Sequence, residues 1–192
     1  MDELISLLDQ FNAILKQQIE ALNEFVIVLD QEENAIRLYQ FLEIEKSVIL
    51  KDQHTQIAAA LEEKRIQLLK RICYMIAFDS RGQTLSLPLF KTVFSSYLEN
   101  VKTILPKNIV EKLYELNTSF IEISNEFSDT FQQASKRIYR NQLILKKVIR
   151  HVNLSINLFQ TAAEASTNYD ALGKTQSVFS QQNAVSSIRV TV

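Results

Sequence analysis

The sequence predicts an all-α protein, an elongated antiparallel helical bundle or coiled coil with a flexible C-terminal tail. Three observations carry that prediction. Two glycines and two prolines in 192 residues leave the chain little from which to build turns. Leu, Ile, Gln, Glu, Lys and Ala dominate, and most of these are strong helix formers. Apolar residues recur at intervals of three and four along most of the chain, which sets them on one side of a helix.

The first helix is expected over about 3–50. Leu8, Phe11, Leu15, Leu22, Phe25, Leu29 and Ile36 form its stripe, with Gln18 and Glu32 as polar exceptions in the same series. Ile14, Ile19, Val26 and Val28 widen the stripe beyond a strict two-stranded seam, which favours a bundle. A break is expected at LKDQHT, residues 50–55, where Asp52 would cap the next helix. The second helix then runs over about 54–77, with Ile57, Leu61, Leu68, Ile72 and Met75 along one side.

DSRGQT, residues 79–84, is the strongest turn signal, because Gly82 tolerates a left-handed backbone. Ser86, Leu87 and Pro88 read as a helix start. A short third helix follows over about 87–104, carrying Phe90, Phe94, Leu98 and Val101, and Pro106 ends it. The last helix is the longest, about 107–165. Ile109, Leu113, Leu116, Phe120, Ile123, Phe127 and Ala134 begin its stripe. Ile138, Leu145, Val148, Val152, Ile156 and Phe159 prolong it, with one polar slot at Asn141. A helix of that length matches the first two and is expected to pack antiparallel against them. The helical body is therefore placed at 1–166. Residues 167–192 lose the stripe and gain Ser, Thr, Asn and Gln, so a turn and a flexible tail are expected there.

Charge narrows the function classes. A net charge of −1 offers no broad basic footprint for nucleic acid. Lys70–Arg71 and Lys146–Lys147–Arg150 read as solvated helix faces. Cys73 is the only cysteine, in the apolar segment ICYMIAF, and fits a buried reduced thiol in a cytoplasmic chain. The start, MDELISLLDQ, carries acid where a signal peptide needs base, and the apolar runs are too short for membrane insertion.

No enzyme signature emerges. His54 is expected in a solvent-facing turn and His151 on a helix flank, neither with metal-ligand spacing to a Cys or an acid. A carboxylate-bridged metal pair needs Glu three residues before each His, and those positions hold Lys51 and Val148. Phosphate loops and nucleophile elbows are also missing. No cofactor and no catalytic residue is therefore assigned. What remains is binding, through an apolar groove or a partner helix. Phe159 and Phe179 flank the motif NYDALG at 168–173 and are the leading candidates for apolar contact outside the core. Gly173 can simply end a helix in the left-handed conformation. A structural coiled-coil scaffold is the alternative reading. Seams this long close within one chain or between two copies, which leaves self-association open.

Several of these features, in this order, resemble the FlgN family of flagellar export chaperones. They are the leucine-patterned helix LLDQFNAILKQQIEALNEFVIVLDQE, then IAAALEEKRIQLLKRI with Glu63 and Lys64, then YRNQLILKKVIRHVNLSINLF. After them comes the tyrosine-to-glycine turn from Tyr169 through Asp170, Ala171 and Leu172 to Gly173. The resemblance implies a cytoplasmic chaperone that holds hook-associated junction subunits by their C-terminal helical segments. It also implies docking to the cytosolic domain of the export gate. On that basis Val152, Ile156 and Phe159 would contact the client helix. Tyr169 would contact the gate or the client, and Gly173 would allow the turn that presents it.

Overall fold

A computed structural model describes residues 1–78 and 85–167. Four helices make up these residues: α1 (Asp2–Arg37), α2 (Phe41–Met75), α3 (Leu87–Val101) and α4 (Lys107–Thr167). No strand occurs among the described residues, so the fold is an all-α helical bundle. The chain divides into two compact units, Met1–Leu145 and Lys146–Val192. The turn expected at 79–84 and the tail from residue 168 onward lie outside the described residues.

The first unit is built on the expected α1 stripe. Leu8, Phe11, Leu15 and Ile19 are buried with Leu4 and Leu7, and further along Val28, Leu29 and Ile36 are buried as well. Phe11 meets Phe90 of α3 edge-on at 5.4 Å between ring centroids and Phe120 of α4 at 5.7 Å. Phe90 in turn meets Phe120 at 5.2 Å and Phe94 at 5.5 Å. These rings, with Leu69, Ile72, Leu98, Leu113 and Leu116, form one continuous hydrophobic core. Large aromatic rings contribute most here, because each removes a large apolar area from water, and Phe90 packs edge to face with Phe11 and Phe120 and stacks on Phe94.

The expected break at residues 50–55 is not there. LKDQHT lies inside α2, and α1 ends at Arg37 instead. The real reversal is a Schellman stop around Tyr39, whose φ is 55°. The Gln40 amide donates to the Ala35 carbonyl at 2.9 Å and the Tyr39 amide to the Ile36 carbonyl at 3.3 Å. Glycine ordinarily fills that left-handed position, so a tyrosine there gives no sequence signal. The end of α2 repeats the device at Ala77, φ 53°, with the Phe78 amide donating to the Cys73 carbonyl at 2.9 Å. Asp52 is therefore no cap. Its carboxylate accepts from Gln56 one turn on, at 2.9 Å, on an exposed face.

The inner face of α2 also differs from the expected one. Leu61 and Ile72 are buried, but Leu69, Cys73 and Ile76 join them, while Ile57 and Met75 are exposed. The long apolar residues near the start of α2, from Phe41 to Leu50, are mostly exposed as well. Ser86 caps α3 as its sequence implies, its hydroxyl accepting from the Leu89 amide at 3.4 Å, with Pro88 in the first turn. Pro106 sits directly before α4, and its carbonyl receives the Ile109 and Val110 amides.

Pairing fixes the helix directions within this unit. Glu3 pairs with Arg71, Gln18 with Glu62 and Glu32 with Lys51, so α1 and α2 run antiparallel. Phe90 lies against Phe120 while Glu99 accepts from the Tyr114 hydroxyl, so α3 and α4 are antiparallel. Asn12 reaches Leu116 and Asn141 reaches Leu29, so α4 runs parallel to α1. The expectation that α4 opposes the whole first hairpin thus holds for α2 and fails for α1. The reason is that α3 runs in the same direction as α2, so only one further reversal, at Pro106, precedes α4.

Candidate functional site

Two features stand apart from the apolar core. The first is a polar layer where α1, α2 and α4 meet near the far end of α1. The sequence marks it only as polar residues in apolar stripes, Glu32 and Asn141, both buried; Gln18, also buried, makes a separate contact to α2 midway along α1. The Asn141 amide nitrogen donates to the Leu29 carbonyl at 2.7 Å and to Glu32 Oε2 at 3.0 Å, tying α4 to α1. Lys51 of α2 pairs with the other Glu32 oxygen. Gln18 donates to Glu62 at 3.1 Å, and Glu62 in turn accepts from Arg65 Nε at 2.8 Å.

Glu33, also buried, receives Arg140 Nε at 2.6 Å and Arg37 Nε at 2.8 Å. Arg137 reaches Asp30 at 2.6 Å. Burial by itself would raise the Glu33 carboxyl above its ordinary value. Hydrogen bonds from Arg140 and Arg37, and their positive charges, outweigh it and hold the carboxyl below that value. The Arg65 hydrogen bond likewise lowers the Glu62 carboxyl, against burial and with help from Gln18. Sequence reasoning missed Glu33, Asp30 and Arg137, which lie just off the apolar stripes of their helices, and gave Arg140 only as part of the segment beginning YRNQ, without its partner. The polar slots beside them were the one available pointer.

The second feature is in the second unit, on α4 beyond Leu145. The stripe continues there through Val152, Ile156 and Phe159, spaced four and three residues apart on one side of the helix. Val152 is half-buried. Ile156 is 47% exposed and Phe159 76% exposed, so the row that is core earlier in the helix is open to solvent here. Leu154 and Leu158, off the stripe and not anticipated, are 52% and 72% exposed. Tyr169 and Gly173 lie outside the described residues.

The histidines hold no chemistry together. His151 is exposed on α4, as expected. His54 is a correction: it lies in the middle of α2, its side chain largely covered, 3.9 Å from Glu24 and beside the Phe25 ring. It is drawn in because LKDQHT continues the helix rather than turning. Cys73 is buried and free, and burial pushes its thiol up, away from the reactive thiolate. Among the described residues no group of three or more His, Cys, Asp or Glu could hold a metal ion. Among them, too, no helix is long and apolar enough to cross a membrane.

These features define an all-α bundle whose longest helix exposes part of its own apolar seam. More particularly, the chain belongs to the FlgN family: the model of that family, FlgN protein, matches residues 1–177. The match takes in the whole described bundle and the tyrosine-to-glycine motif after it. Comparison with curated proteins and with solved structures gave no match. Family membership carries a general chaperone role in flagellar export, and chaperones of this family are not enzymes.

Proposed function

We propose that the chain is a cytoplasmic chaperone for hook-associated junction subunits. It holds the C-terminal helical segment of such a subunit on the open seam of α4 and delivers it to the cytosolic domain of the type III export gate. The exposure of Ile156 and Phe159 carries this reading. A row of apolar side chains at spacings of three and four, left open to water, suits an amphipathic helix that would bury it. The mechanism is stoichiometric. Covering the client's apolar terminal segment keeps it from assembling early, and handing it to the gate uncovers it. Tyr169, outside the described residues, supplies an aromatic anchor with a hydroxyl in this reading, and Gly173 is assigned to the same contact. No nucleotide or metal enters this cycle.

The test is capture of a purified hook-associated subunit by the full chain and by Ile156→Asp and Phe159→Asp variants. Each variant is expected to weaken capture at least about tenfold, since a charge replaces a buried anchor. Undiminished capture by both would remove the seam from the mechanism. Capture of no flagellar subunit by the unaltered chain would remove the client class.

A further inference from the structure

We propose that the α4 segment from Lys146 to Ala162 is also a docking helix for an anionic lipid surface, lying in the interface without crossing it. The proposal rests on charge and on the breadth of the exposed apolar face. No Asp or Glu occurs anywhere from Thr130 to Ala163. Arg137 and Arg140 in that stretch are engaged by Asp30 and Glu33 of α1. Lys146, Lys147 and Arg150 are exposed on the helix, as is His151.

Breadth of the face favours lipid over a protein helix. At about 100° per residue, Ile149, Val152, Ile156 and Phe159 gather on one side, and Leu154 and Leu158 extend the apolar surface well beyond them. Together they span about 220° of the circumference, an arc that also carries Lys147, His151 and Ser155. A partner helix covers a narrow seam and would leave Leu154 and Leu158 in water. A lipid interface accepts the broad arc. Lys146 and Arg150 lie on the opposite, polar side with Asn153 and Asn157, while Lys147 sits between Leu154 and Leu158 at the border. There its long stem can follow the apolar surface while its ammonium reaches lipid phosphates. A basic polar side set against leucine and phenylalanine is the pattern of helices that lie on anionic bilayers.

The proposal shares Ile156 and Phe159 with the client-binding reading but does not depend on it. If both hold, client and membrane compete for one face, so arrival at the membrane favours release. The test is flotation of the full chain with vesicles of phosphatidylcholine alone and of phosphatidylcholine mixed with phosphatidylglycerol. Binding to the anionic vesicles only, weakened by added salt, is the expected result. Lys146→Glu, Lys147→Glu and Arg150→Glu combined should weaken it at least about a hundredfold. Leu154→Ser with Leu158→Ser should weaken vesicle binding and leave client capture intact, since those positions lie off the client seam. Circular dichroism would confirm that each variant keeps its helices. Equal binding to both vesicle types, no binding to the anionic ones, or indifference to the charge reversals would overturn the proposal. Client capture scored on the same samples separates its failure from failure of the client reading.

Discussion

Glu33 and Asn141 show how single side chains hold α4 to α1 where the large apolar core gives way to polar contacts. A buried carboxylate is costly unless paired, and two arginines from different helices pair this one. Removing one partner is therefore worse than a surface salt bridge would suggest. Arg140→Ala is expected to destabilise the bundle by about 1–3 kcal/mol in urea unfolding. A change under a few tenths would mean that Arg37 alone satisfies the carboxylate. The sign of the pH response follows from the lowered carboxyl. Its contribution is complete above the ordinary value of 4.5 and is lost as pH falls through the lower folded value. Glu33→Gln should thus flatten the loss of stability below about pH 4.5 relative to the unaltered chain. An equally steep acid loss in the variant would assign it to other carboxylates.

Backbone geometry matters more at the scale of the element. Both ends of the α1–α2 hairpin's second helix are set by left-handed residues that are not glycine, Tyr39 before it and Ala77 after it. A side chain in that conformation costs about 1–2 kcal/mol, part of which glycine recovers. Tyr39→Gly is expected to raise the unfolding free energy by about 0.5–1 kcal/mol. Asp52→Ala should change it by less than about 0.5 kcal/mol, since only an exposed bond to Gln56 is lost. The opposite ranking would put the hairpin back at residues 50–55. Phe90 makes the complementary case: its ring touches α1, neighbours within α3, and α4. Phe90→Ala should cost about 3–5 kcal/mol, and its thermal midpoint would report that directly.

At the scale of the whole molecule, the stabilising core and the surface proposed for binding fall in different units. The core of the first unit draws on α1, α2, α3 and the early part of α4, while the open seam lies past Leu145. A chain ended after Leu145 is expected to unfold at nearly the same urea concentration as the full chain, yet capture no client. Loss of cooperative unfolding on that truncation would show that the bundle needs the second unit. The proposed function depends on the exposed apolar row of α4 past Leu145. The same chemistry that stabilises the bundle, apolar residues in a row, is left open to water where no other described residue covers it, which is the surface proposed for the client.

The sequence by itself determined the helical class, the stripe of α1, the Ser86 start of α3, the long α4 and the polar slots at Gln18, Glu32 and Asn141. Local periodicity and capping chemistry suffice for these, because each is set by residues within a turn or two. It also placed Val152, Ile156 and Phe159 on the seam, and singled out Phe159 as a candidate for apolar contact outside the core. Tertiary structure alone decided that Ile156 is open beside Phe159, that α4 runs parallel to α1, and that Glu33 lies between Arg37 and Arg140. Those outcomes depend on residues about a hundred positions apart. It also decided the turn at Tyr39, where packing and hydrogen bonds on either side hold a tyrosine in a backbone conformation that its own preferences disfavour.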